Sequence, residues 1–202
     1  MRLFTLAVAA TLPLTLLTPP AFAAGGGGGS TPPKASETTK NCFKRRQWDP
    51  EQGKYVRFSE RVNGVWDAEI RRCVRPDRSS YLDEDTLYGA VRELAYAGRY
   101  DAAREVLDQM PDQNADRVLT YRGFTERKLG NITAAMVFYE RAITANPDNI
   151  LARSYMGQGL VEQGDMVAAL QQLRQIQARG GKGTWAETSL RSAIESGTTY
   201  NY

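Results

Sequence analysis

Three glycines, Gly98, Gly130 and Gly164, fall 32 and 34 residues apart, and the segments around them are near copies of one another. "AYAGRYDAAREVLDQMP", "ERKLGNITAAMVFYERAITANP" and "VEQGDMVAALQQLRQI" each place a turn glycine before a helix-starting residue, then a small alanine, then a large apolar residue four positions on. The pairs are Ala103 with Leu107, Ala135 with Tyr139, and Ala169 with Leu173. Spacing by four puts both members on one helix face, the small one admitting a partner helix and the large one filling the space beside it. A period near 34 residues with this pattern predicts stacked helix pairs that bury their apolar faces against their neighbours. After Gly180-Gly181, "GTWAETSLRSAIESG" carries Trp185, Leu190 and Ile194 near helical spacing, which predicts a closing helix over the last unit.

The start of the chain reads differently. Arg2, an apolar run from Leu3 to Leu17 and the sequence Ala21-Phe22-Ala23 predict a secretory signal peptide, residues 1–23, cut after Ala23. Pro13, Pro19 and Pro20 and the shortness of the run argue against a membrane span. No later run is apolar enough to span a membrane either. Residues 24–40, rich in Gly, Pro and Ser, are expected to form a flexible linker.

Residues 41–80 are predicted to form a small β module. "WDPEQGKYV" from Trp48 and "WDAEIRRCV" from Trp66 align at an offset of 18, and turn signals at Asp49-Pro50, Gln52-Gly53 and Asn63-Gly64 imply paired hairpins. Cys42 precedes the first unit and Cys73 ends the second, so one disulfide can clasp both. An exported segment too small for a proper core favours that bridge. Two cysteines with His 0 in the whole chain leave a metal site incomplete. Trp48 and Trp66 have two readings, stacking on sugar rings or plugging a tiny fold.

The residues from Tyr81 onward resemble the tetratricopeptide repeat family. Gly123, Ala135, Tyr139, Ala142 and Pro147 carry the likeness in the middle copy; Tyr155, Met156-Gly157, Leu160, Gly164-Asp165 and Ala169 carry it in the third. The first copy is poorer, with Ala90 and Val91 in place of the usual Leu-Gly pair and a second helix cut short at Pro111. The resemblance implies a mainly α fold, a short helical-hairpin solenoid of about three repeats plus a capping helix over 81–196, followed by a tail, 197–202. It also implies a concave groove lined by Tyr88, Arg92, Tyr96, Arg117, Thr120, Phe124, Arg127, Lys128, Ser154, Gln158 and Glu162, which holds a peptide or helix of a protein partner. The front module is similar to short cysteine-bounded modules of exported repeat proteins, and distantly to chitin-binding peritrophin modules.

Charge separates the two parts. The segment 34–78 carries 12 basic and 7 acidic residues, whereas 81–202 carries 13 and 16. A formal net charge of +3 is too small a bias to indicate nucleic acid. Without histidine, Ser-His-Asp and Cys-His chemistry are excluded for this chain alone, and the carboxylates sit mostly at helix starts, such as Asp101 and Asp165, or on exposed faces such as Glu140. The expectation is a non-enzymatic, periplasmic or secreted interaction scaffold with no cofactor and no metal, for which self-association is also open. The alternative is an envelope polysaccharide or peptidoglycan binder using Trp48, Trp66 and the basic residues of the front module.

Overall fold

The computed structural model describes residues 37–42, 47–49, 53–56 and 64–199. Signal peptide, most of the linker and the end of the tail lie outside the described residues.

The front module contains a short helix α1 (Glu37–Cys42) and two antiparallel hairpins, β1 (Gln47–Asp49) with β2 (Lys54–Val56) and β3 (Val65–Asp67) with β4 (Arg72–Val74). Their registers repeat: Trp48 faces Tyr55 and Asp49 faces Lys54 in the first, while Trp66 faces Cys73 and Asp67 faces Arg72 in the second. The 18-residue offset is thus two hairpins in equivalent register. In the second, the buried Asp67 carboxylate accepts from the amides of Glu69 (2.9 Å) and Ile70 (3.2 Å) across the turn, and from the Tyr81 hydroxyl at 2.7 Å. The Tyr81 bond, with the turn amides, holds that carboxyl below its ordinary range against the opposing effect of burial.

Cys42 and Cys73 form the expected disulfide. It ties α1 to β4 and leaves α1 docked on the helical part, where the buried Glu93 carboxylate accepts from both the amide and the hydroxyl of Thr39. The Trp66 amide donates to Thr38 Oγ1 at 3.0 Å. Residues 37–40, read from sequence as flexible linker, are therefore helix; threonine side chains bonding across to other elements outweigh the composition there.

A 3₁₀ turn at Pro76–Arg78 leads into helices α2 (Glu84–Tyr96), α3 (Tyr100–Leu107), α4 (Asp116–Lys128), α5 (Ile132–Ala145), α6 (Ile150–Glu162), α7 (Met166–Ala178) and α8 (Trp185–Ser196). The protein is mainly helical. Four starts are capped by side chains: Asp83, Asn149, Asp165 and Thr184 accept from the amides of Thr86, Ala152, Ala168 and Glu187. Gly98, Gly130 and Gly164, between the members of each pair, have φ of 72°, 88° and 82°, a left-handed conformation that only glycine adopts without cost.

Helices α2, α4, α6 and α8 touch one another in succession, and α3, α5 and α7 each pack against the two of these that flank them in sequence. The alanines at 103, 135 and 169 are fully buried, as are Leu107 and Tyr139, with Leu173 nearly so. A Cβ on Gly123 would lie 2.5 Å from the Tyr139 ring, and one on Gly157 would lie 2.6 Å from Leu190. Both glycines let a large neighbour approach the helix backbone. Leu190 joins Leu173 and Ile176 in the last apolar cluster, so α8 covers the third helix pair as its spacing predicts.

The start of α8 is pinned by one carboxylate. Glu187 accepts from the Gly183 amide and from Gln177 Nε2, both at 2.8 Å, and pairs with Arg191. The amide bond, then the Gln177 bond, bring its carboxyl down to about 2 from an ordinary 4.5, over the opposing effect of burial. The folded-state value lies below the unfolded one, so the stabilisation is complete above the ordinary glutamate range and disappears as pH falls through about 2. Melting curves taken stepwise from neutral pH to about pH 2 should show a smaller acid-induced fall in Glu187→Gln than in the parent. Parallel falls in the two proteins would remove Glu187 from this role.

Candidate partner-binding face

The residues expected to line a groove divide by burial. Thr120, Phe124, Arg127, Ser154 and Gln158 are buried, Tyr88 is nearly so, and Arg92, Tyr96, Arg117 and Lys128 remain partly exposed. Glu162 is open to solvent. Phe124, Thr120, Arg127 and Gln158 therefore do not themselves offer contact surface, a correction to the sequence expectation. The cause is the neighbouring helices: α2 and α6 lie close on either side of α4, and α4 and α8 on either side of α6, where Gln158 sits.

The floor beneath the exposed set is aromatic. Phe124 lies 4.8 Å from the Tyr155 ring and 5.9 Å from both Tyr96 and Tyr121, the Tyr96 ring being stacked on it. Tyr88 meets Tyr121 edge-on at 5.7 Å, and the Tyr96 and Tyr155 hydroxyls bond at 2.7 Å. Rings from α2, α4 and α6 thus interlock across three helices. Offset and edge-on pairs of this kind add about 0.5–1.5 kcal/mol each beyond area burial.

Cations sit over this floor. Arg117 Cζ is 5.0 Å and Arg92 Cζ 5.9 Å from the centre of Tyr88; Lys128 Nζ and Arg127 Cζ are 5.9 and 5.8 Å from Phe124. Burial pushes the Tyr88 hydroxyl up to about 12. Burial, helped by the Arg127 charge, brings the Lys128 ammonium down to about 8.

The arginines differ in how they are satisfied. Arg117 pairs with Glu84 (2.5 Å) and Asp85 (2.8 Å) on α2. Arg122 pairs with Asp108 at 2.8 Å. Arg127, whose side chain is wholly buried, reaches Glu162 at 2.6 Å and Gln158 at 3.3 Å on α6. Arg153 donates to the Pro147 carbonyl at 2.8 Å. These contacts fix the register of neighbouring helices, which the sequence does not reveal because partners lie up to 35 residues apart.

In the front module Trp66 is half-buried in β3 opposite Cys73, and Trp48 lies in β1 with its side chain outside the described residues. Arg71, Arg72, Arg75 and Arg78 are exposed. Among the described residues no group of three or more His, Cys, Asp or Glu converges as a metal site would need, and no helix is long and apolar enough to cross a membrane. No family model, curated protein or solved structure matches the chain.

Proposed function

We propose that this protein is an exported, non-enzymatic scaffold in which α2 to α8 form a short tetratricopeptide-type solenoid, and the surface of α2 and α4 receives an extended peptide or helix of a protein partner. The architecture is supported by three helix pairs with equivalent glycine turns and equivalent buried alanines. The observation that carries the function is the partly exposed set Arg92, Tyr96, Arg117 and Lys128, presented on two adjacent helices above a rigid floor of buried rings. Aromatic and arginine side chains held in place lose little entropy on binding and dominate the energetics of many interfaces. Export rests on the sequence of residues 1–23, with the disulfide suited to an oxidising compartment such as the periplasm.

The test is co-purification from the native envelope, comparing the parent with a Tyr96→Ala/Arg117→Ala variant and with Val167→Glu, a change at a position on α7 that is 70% exposed. A discrete partner retained by the parent and by Val167→Glu but lost from the double variant is the expected result, provided all three keep the same helical content. An unchanged partner set in the double variant would contradict the proposal.

A further inference from the structure

Among the arginines of α2, α4, α6 and α8, Arg92 is the exception. Arg117, Arg122, Arg127 and Arg191 have carboxylate partners, and Arg153 has a carbonyl. Arg92 has neither among the described residues; its guanidinium faces the neutral tyrosines 121, 88 and 96, with the Tyr121 hydroxyl within reach of a hydrogen bond. Its Nε and the hydroxyl of Tyr121, a side chain with no exposure at all, are buried beside one another without a well-formed hydrogen bond. The carboxylates of α2 and of the start of α4 are already engaged: Glu93 by Thr39, Glu84 and Asp85 by Arg117, and Asp116 by Asn146 (2.7 Å) and Asn149 (2.9 Å).

A half-buried guanidinium walled by rings has lost much of its hydration without gaining an anion, an arrangement that costs free energy unless another group completes it. The outer edge of the guanidinium is still reachable, since Arg92 is partly exposed. A planar fork of N–H donors with aromatic walls matches a carboxylate in geometry as well as charge. Lipid phosphate would need several cations converging, whereas Arg117 is already paired and Lys128 stands over a different ring.

We infer that Arg92 is the receptor for one acidic side chain of the partner segment, the carboxylate seating against the guanidinium while an apolar neighbour of that residue lies on Tyr96. This inference rests on the proposed use of the α2–α4 face and names the chemistry of what it binds. In a free chain the position is a cation awaiting its partner; in the complex it becomes a desolvated ion pair, the type of contact that fixes register and discriminates between sequences.

The probes are two capped, fluorescently labelled peptides, Leu-Tyr-Glu-Leu-Leu-Ser and the same sequence with Gln in place of Glu, titrated into the mature chain and into Arg92→Gln at low salt. The Glu peptide is expected to bind the parent at least tenfold tighter than the Gln peptide. Arg92→Gln should remove that difference while leaving the Gln peptide's affinity within twofold, and a thermal melt on the same sample verifies that the variant is folded. Equal binding of both peptides to the parent would overturn the carboxylate receptor while leaving a peptide-binding face. A Glu preference that survives Arg92→Gln and disappears in Arg117→Gln would overturn the assignment to Arg92. Absence of binding by either peptide at millimolar concentration would overturn the receptor as well, whereas co-purification judges the face independently.

Discussion

Replacing Tyr139 by alanine is expected to lower the unfolding free energy by about 3–5 kcal/mol, the range for deleting a large buried ring. Tyr139 has no exposed surface, and its ring fills the space that Gly123 leaves on α4. The cavity would open at the junction of α4 and α5, where neither backbone can collapse far without disturbing the other helix pairs. Tyr139→Phe separates ring from hydroxyl. The hydroxyl is buried against the Arg127 guanidinium without a well-formed hydrogen bond, and burial pushes it up to about 12. Removing it should change stability by no more than about 1 kcal/mol, the relief of a poorly bonded buried hydroxyl offsetting its lost contact with Arg127. Urea unfolding of both variants is the check. Comparable losses in Phe and Ala would show that the hydroxyl, and not the small-to-large fit, holds this junction.

The second large effect is expected at the disulfide. Loop closure across the 31-residue separation of Cys42 and Cys73 contributes about 3–4 kcal/mol on the chain-entropy estimate. The double Cys42→Ser/Cys73→Ser variant should lose that amount. Its first consequence is local: α1 is only six residues long, and the Thr39–Glu93 and Thr38–Trp66 bonds are among the contacts that hold it without the bridge. Hydrogen exchange should therefore quicken at the amides of Thr39 and Trp66 before α5 and α6 respond. Loss of the Thr39 donors from the buried Glu93 carboxylate transmits the change to the first helix pair. Unchanged exchange at Thr39 would mean that α1 docks by itself.

The helical part was largely legible because its signals are local. Glycine turns, cap residues and the four-residue spacing of small and large side chains all act within one helix pair, and α3 is short as expected, ending at Leu107, before Pro111. The hairpin pair was legible for the same reason, through the repeat at Trp48 and Trp66. What escaped the sequence depends on distant partners. The burial of Phe124 follows from rings on α2 and α6, and spacing along α4 gives its phase but not the distance to its neighbours. The docking of α1 through Glu93 joins residues 54 positions apart. The unmatched state of Arg92 becomes visible only once the acceptors of the other arginines are known.

Tyr96 and Trp66 are both partly exposed and belong to the two competing surfaces, so photo-crosslinking from each, in separate proteins within the native envelope, compares those surfaces directly. A benzophenone side chain at position 96 is expected to give a discrete protein adduct, identified by mass spectrometry, and none should form from position 167 on α7. Glycan adducts from position 66, with nothing from position 96, would contradict a partner-binding role for the α2–α4 face and move the function to the disulfide-bonded module.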